Sequence, residues 1–173
     1  MKYFFCLVCM FSVFAVAAQD PKVTIHTSGN DPLFFIDSAV ASRVEMEKLN
    51  PREILSVSVY KDKDMTTLAG TEARYGIVYI TTRGYMRNKY WNYFKSKSSE
   101  YSKIVLTPDA DTNVQYILNN HVLNTNIEGD LSLIDDRTFK GIRIIDKKTL
   151  QKEFGISGKT YGVIIKSKKS ENL

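Results

Sequence analysis

The strongest constraint on the fold is an internal repetition, with one unit running from Pro32 to Gly84 and a second from Val114 to Lys169. Each opens with a short apolar strand, Leu33-Phe34-Phe35-Ile36 in the first and Val114-Gln115-Tyr116-Ile117-Leu118 in the second. Each strand runs into polar turn residues, Asp37-Ser38 or Asn119-Asn120, whose types bond nearby backbone and tolerate left-handed conformations. Asn50-Pro51-Arg52-Glu53 combines an N-cap residue, proline at the first helical position and a glutamate three residues after the cap, which predicts a short turn of helix. Asp135-Asp136-Arg137-Thr138 stands in the equivalent place, with Asp135 able to cap. Strands follow, "ILSVSVYK" and "FKGIRIIDK". Val57 and Val59 share one face and Ser56 and Ser58 the other, while Ile142 and Ile144 alternate with Gly141 and Arg143. That period of two predicts half-buried strands.

Next come "DMTTLAG" and "KTLQKEFG", ending in Gly70 and Gly155, and glycine after a short periodic segment predicts a helix stop. The closing strands are expected to start at Tyr75-Gly76 and Tyr161-Gly162. The sequence therefore predicts an α+β protein of two tandem units. Each is a small mixed β-sheet with short helices, in the order strand–helix–strand–helix–strand. The units span residues 31–84 and 114–169, flanked by an N-terminal segment (19–30), a connector (85–113) and a tail (170–173).

The first residues carry the expectation of export. "MKYFFCLVCMFSVFAVAAQD" has one basic residue, Lys2, an apolar run from Tyr3 to Ala18, and small residues at its end. This is the pattern of a secretory signal peptide (1–18) cut after Ala18, and the run is shorter than the ~20 residues that cross a bilayer. Both cysteines, Cys6 and Cys9, fall inside it, so disulfides, zinc-thiolate sites and thiol nucleophiles are not expected in the exported chain. A formal charge of +5 is spread among both signs and argues for solubility rather than nucleic-acid binding.

Catalytic and metal motifs find little support. "GISGKT", Gly155 to Thr160, lacks the leading glycine of a phosphate-binding loop, because Glu153 stands there. It also enters a strand, whereas such a loop enters a helix. His26 and His121 are isolated, with no second histidine or carboxylate pair at ligand spacing. Asp109, Asp111, Asp135 and Asp136 have no calcium-loop spacing, and no Gly-x-Ser-x-Gly elbow is present. No catalytic residue, metal site or cofactor is expected.

One segment stands apart. "RGYMRNKYWNYFKSK", Arg83 to Lys97, contains five basic residues, five aromatics and no acid. At helical spacing Met86, Tyr90, Tyr93, Phe94 and Lys97 fall on one side, with Trp91 beside them. As a surface, Tyr90, Trp91, Tyr93, Arg87 and Lys89 would contact a sugar, an anionic polymer or a protein. As a structural element, the same stripe would close the core between the two units.

Asp31 to Gly84 resembles the plug domain of TonB-dependent outer-membrane receptors, in the form common in Bacteroidetes. The likeness lies in the strand "PLFFID", the turn "NPREI", the strand "VSVYKD" and the Tyr-Gly step before "IVYITT". It is close over the first unit and weaker over the second. Two departures stand out: Asp37-Ser38 replaces the family's Asp-Gly, and Tyr75-Gly76 runs into Ile77 without a second glycine. The resemblance implies two diverged plug-like copies without a barrel, in the periplasm or at the outer membrane of a Gram-negative bacterium. It also implies a non-enzymatic binding or interaction module whose partner is an envelope protein or outer-membrane receptor component. An accessory subunit of a receptor or signalling complex is the structural alternative, and an unrecognised envelope hydrolase a third.

Overall fold

Two hairpins of the same build open the two halves of the protein. In this computed structural model, which describes residues 31–61 and 71–168, β1 (Leu33–Ile36) turns into β2 (Ala39–Ala41) through Asp37 and Ser38, at φ 51° and 71°. Much later β5 (Val114–Leu118) turns into β6 (His121–Val122) through Asn119 and Asn120, at φ 50° and 69°. Two consecutive left-handed residues make the hairpin turn whose twist matches that of strands, which is why Asp and Asn occupy it. Each turn is also tied to the end of its unit's last strand, which lies beside it. Asp37 accepts hydrogen bonds from the Thr82 N–H (2.7 Å) and hydroxyl (2.6 Å), and Asn119 accepts one from the Ser167 N–H (2.9 Å).

The remaining elements repeat in the same order. In the first unit α1 (Arg43–Glu47), a 3₁₀ turn (Pro51–Glu53), β3 (Ile54–Tyr60), a second 3₁₀ turn (Thr71–Tyr75) and β4 (Ile77–Thr82) complete the set. Helices α2 (Arg83–Lys97) and α3 (Ser99–Ile104) lead to the second unit. That unit adds α4 (Ile127–Ser132), β7 (Phe139–Asp146), α5 (Lys147–Phe154) and β8 (Tyr161–Ser167). The capping residues act as their chemistry dictates: Asn50 accepts from the Arg52 N–H, and Asp135 from the Arg137 and Thr138 N–H groups. Ser42 and Glu45 form a reciprocal capping box at the start of α1.

The strands form two four-stranded mixed sheets, ordered β2-β1-β4-β3 and β6-β5-β8-β7. In each, the first strand of the unit runs parallel to the last, and the other pairs are antiparallel. A bulge falls at matching places, between Ile54 and Ser56 and between Phe139 and Gly141. The α+β architecture of two tandem small units is thus as expected, with one extra short strand per unit, β2 or β6.

Register corrects one expectation. Val57 pairs with Ile80, and its counterpart Ile142 pairs with Ile165. Ile77 therefore corresponds to Gly162, and the two Tyr-Gly steps lie one residue out of phase. Gly76 precedes β4 at φ 100°, where an added Cβ would stand 2.7 Å from the Tyr60 carbonyl oxygen. Gly162 lies within β8, where a Cβ would meet Ile145 Cγ1 at 2.7 Å and Leu150 Cδ1 at 2.9 Å. One glycine answers a backbone demand and the other a packing demand.

The cores differ more than the sheets. In the second unit both sheet faces are covered. Tyr116, Val163 and Ile165 pack under Tyr90, Phe94, Tyr101 and Leu131, and Ile117, Ile145 and Ile164 pack under Leu150 of α5. Of the two readings of the stripe at 83–97, a binding surface or an element closing the core between the units, neither holds as stated: Tyr90 and Phe94 pack into the second unit's core. In the first unit Leu33, Phe34, Ile77 and Ile80 are buried, but Val57 and Val59 are 53% and 57% exposed. Their period of two predicts a covered face; Phe34 and Ile80 on that face are buried, while its margin on β3 is left exposed. The expected signal peptide, the segment 19–30 with His26, the "DMTTLAG" helix and the tail at 170–173 lie outside the described residues.

Candidate functional site

Thr82 starts the aromatic helix α2. Its hydroxyl accepts from the Tyr85 N–H while donating to Asp37, so the helix leaves the first sheet at a fixed angle. From there the five residues expected as an interaction surface divide by burial. Tyr90 is 1% exposed and its hydroxyl donates to Asp111 at 3.1 Å. Trp91 is half-buried, and its indole N–H donates to the Val105 carbonyl at 2.9 Å. Tyr93 packs edge-on against Phe139 and Phe94, and its hydroxyl donates to Asp136 at 3.0 Å. Arg87 is half-buried between Glu128 (2.6 Å) and Asp109 (2.9 Å). Lys89 alone of the five is exposed.

Electrostatics confirms that these groups hold the second unit together. Burial pushes the hydroxyls of Tyr90, Tyr101 and Tyr116 well above the ordinary tyrosine range. Tyr101 and Tyr116 share a hydrogen bond of 2.9 Å, so the cluster stays neutral and satisfied. Burial and the Asp136 hydrogen bond raise Tyr93 to about 12. Burial opposes the charge on Glu128, yet the Arg87 hydrogen bond and the Arg87 and Arg83 charges hold its carboxyl below the usual range. Glu128 is the residue the sequence reading missed. Its partners sit about forty positions upstream, and only the packing of α4 against α2 brings them together.

The other candidates also have structural work. Asp111 receives Tyr90, and Asp136 pairs with Lys97 at 2.6 Å. Asp135 is held at about 2 by its Arg137 hydrogen bond, with the Thr138 cap adding to it. His121 is exposed on β6. Gly155, at φ 71°, ends α5 before β8, so "GISGKT" leaves a helix and enters a strand. Among the described residues no group of three or more His, Cys, Asp or Glu could hold a metal ion. None of the described helices is long and apolar enough to cross a membrane.

An open groove of about 350 Å³ lies beside α5, lined by Asn120, Arg143, Glu153, Phe154, Ile164 and Lys166. Its polar groups pair with one another, Arg143 with Glu153 at 3.5 Å and the Lys166 ammonium with the Asn120 carbonyl oxygen at 2.7 Å. His121 is not among its lining residues.

Several exposed apolar groups lie on the first sheet, while others, Leu106 and Leu133 among them, stand singly elsewhere. Val57 and Val59 lie on one face of β3, and Tyr60 sits edge-on to Tyr79, which stacks on Phe35 at 4.6 Å, on the other. Compared with family models, curated proteins and solved structures, the chain gives no match.

Proposed function

We propose that the chain is an exported, non-enzymatic interaction module of the cell envelope, built from two units resembling the plug domain of TonB-dependent receptors. Its role is to dock to a protein, as an accessory subunit of an outer-membrane receptor or signalling complex. The observation that carries this is the division of labour between the units. The aromatic segment that would have formed a sugar or polymer surface is spent on the second core, whereas the first sheet keeps Val57, Val59, Tyr60 and Tyr79 exposed. Exposed apolar and aromatic side chains clustered on one sheet suit a protein partner more than a small polar ligand.

The test is affinity capture with the tagged chain from native envelope extract, beside a mock bait. The reading predicts enrichment of an outer-membrane receptor component in amounts comparable to the bait. Recovery of the mock-bait background alone would overturn it.

A further inference from the structure

We infer that the outer edge of β3 is a self-association site, where two copies of this chain pair antiparallel about a two-fold axis through Ser58. Among the described residues no strand lies on that edge, because β3 is the last strand of the order β2-β1-β4-β3. An unpaired edge presents a row of backbone N–H and C=O groups that accepts another strand unless something blunts it. The regular part of β3 after the bulge is Ser56-Val57-Ser58-Val59-Tyr60, entirely exposed and without a charge or proline.

The side-chain pattern reads almost the same in both directions. Antiparallel pairing centred on Ser58 sets Val57 of each copy against Val59 of the other on one face, and Ser58 against Ser58 on the opposite face. Cross-strand apolar pairs of this kind are the stabilising unit of a sheet. The strand's flanks are charged, with exposed Arg52 and Glu53 at one end and exposed Lys61 at the other.

The second unit supplies the contrast. β7 is the matching edge strand, and its residue in the place of Ser58 is Arg143, since Ser58 pairs with Tyr79 and Arg143 with the corresponding Ile164. Self-pairing there would set guanidinium against guanidinium, the like-charge juxtaposition by which edges are protected. β7 also carries Lys140 at its bulge. One edge is blunted and the other is left open. An isologous strand pair with its flanking side chains buries on the order of 1,000 Å², which places the dimer at the weaker, transient end of protein interfaces.

This rests on the reading of the chain as an interaction module, and the test separates the two. The full chain with Cys6→Ser and Cys9→Ser receives Ser58→Cys, alone or, as a control, together with Val57→Lys and Val59→Lys. Opposed residues on antiparallel strands have Cβ atoms ~4.5–5.5 Å apart, close enough for a cross-link on oxidation. The expected result is a disulfide dimer for Ser58→Cys alone and not for the chain that also carries the two lysines. Sedimentation of the purified parent chain should show monomer and dimer exchanging between ~10 µM and ~1 mM, with Val57→Lys/Val59→Lys weakening the dimer at least about tenfold.

A parent chain that stays monomeric throughout would overturn the proposal, as would equal cross-linking with and without the two lysines. If such a chain still captures an envelope protein, the dimer fails while the interaction reading stands. A dimer without envelope capture sinks the receptor reading and leaves the dimer standing.

Discussion

The two units share turns, bulges and strand order, and differ in what lies over the sheet. In the second, α2, α3 and α4 cover one face and α5 the other, and Ile142 and Ile144 pack against the aromatic core. In the first, the counterparts Val57 and Val59 are exposed. The same backbone plan therefore yields a sealed unit and an open one. The lesson is that a sheet's role follows from the helices brought to it, and here two of the four, α2 and α3, come from the connector rather than from the repeat.

The largest effect that separates the units comes from alkali. Tyr90, Tyr101 and Tyr116 keep their protons far above the ordinary range in the folded state, whereas an unfolded tyrosine ionises near pH ~10. Above that value the unfolded chain binds fewer protons than the folded one, so stability falls as pH rises, by up to about 1.4 kcal/mol per pH unit for each tyrosine. Tyrosinate absorbance from these three should appear together with loss of near-ultraviolet dichroism. Their ionisation in a still-folded protein would contradict the buried cluster.

Phe94→Ala should cost about 3–5 kcal/mol, because the ring is fully buried between Tyr101, Tyr93 and Phe139. Along the same scale, Ile144→Ala should cost about 2 kcal/mol and its counterpart Val59→Ala no more than about 0.5 kcal/mol. Denaturant titration in dilute solution reads all three. Equal costs at residues 59 and 144 would erase the distinction between sealed and open.

The two glycines give a smaller and more selective effect. Gly76→Ala and Gly162→Ala should each cost about 1–3 kcal/mol, for strain in one case and overpacking in the other. Ile145→Ala removes the Cγ1 and Cδ1 atoms that a Cβ at 162 would meet at 2.7 and 2.9 Å. It should therefore make the Gly162→Ala change cheaper, while no side-chain trimming helps Gly76→Ala, which abuts a backbone oxygen. Rescue of both, or of neither, would show that the two positions had been misread.

Much of this was legible in local chemistry. Asp37-Ser38 and Asn119-Asn120 declare their turns, Asn50-Pro51 and Asp135 their caps, and Gly155 its helix end, because each depends on neighbours within a few residues. The Ser42-x-x-Glu45 box was equally visible in kind, and was overlooked. Register was less legible: the repeated Tyr-Gly step misled, since identical residues there satisfy different constraints one position apart. The fate of Val57 and Val59 was not legible at all. A period of two says which residues share a face, and only the placement of distant helices says whether that face is covered. For the same reason the segment 83–97 showed its stripe but not its destination, and Glu128 showed nothing of Arg83 and Arg87.

Backbone hydrogen exchange, followed peptide by peptide through a dilution series, tests the central claim most directly, that the second unit is sealed while β3 of the first stays open to pairing. The amides of β5 and β8 should exchange slowest at every concentration. Those of β3 should exchange quickly in the most dilute sample and slow as concentration rises, with β7 unchanged throughout. Equal protection of β3 and β7 at every dilution would contradict the account.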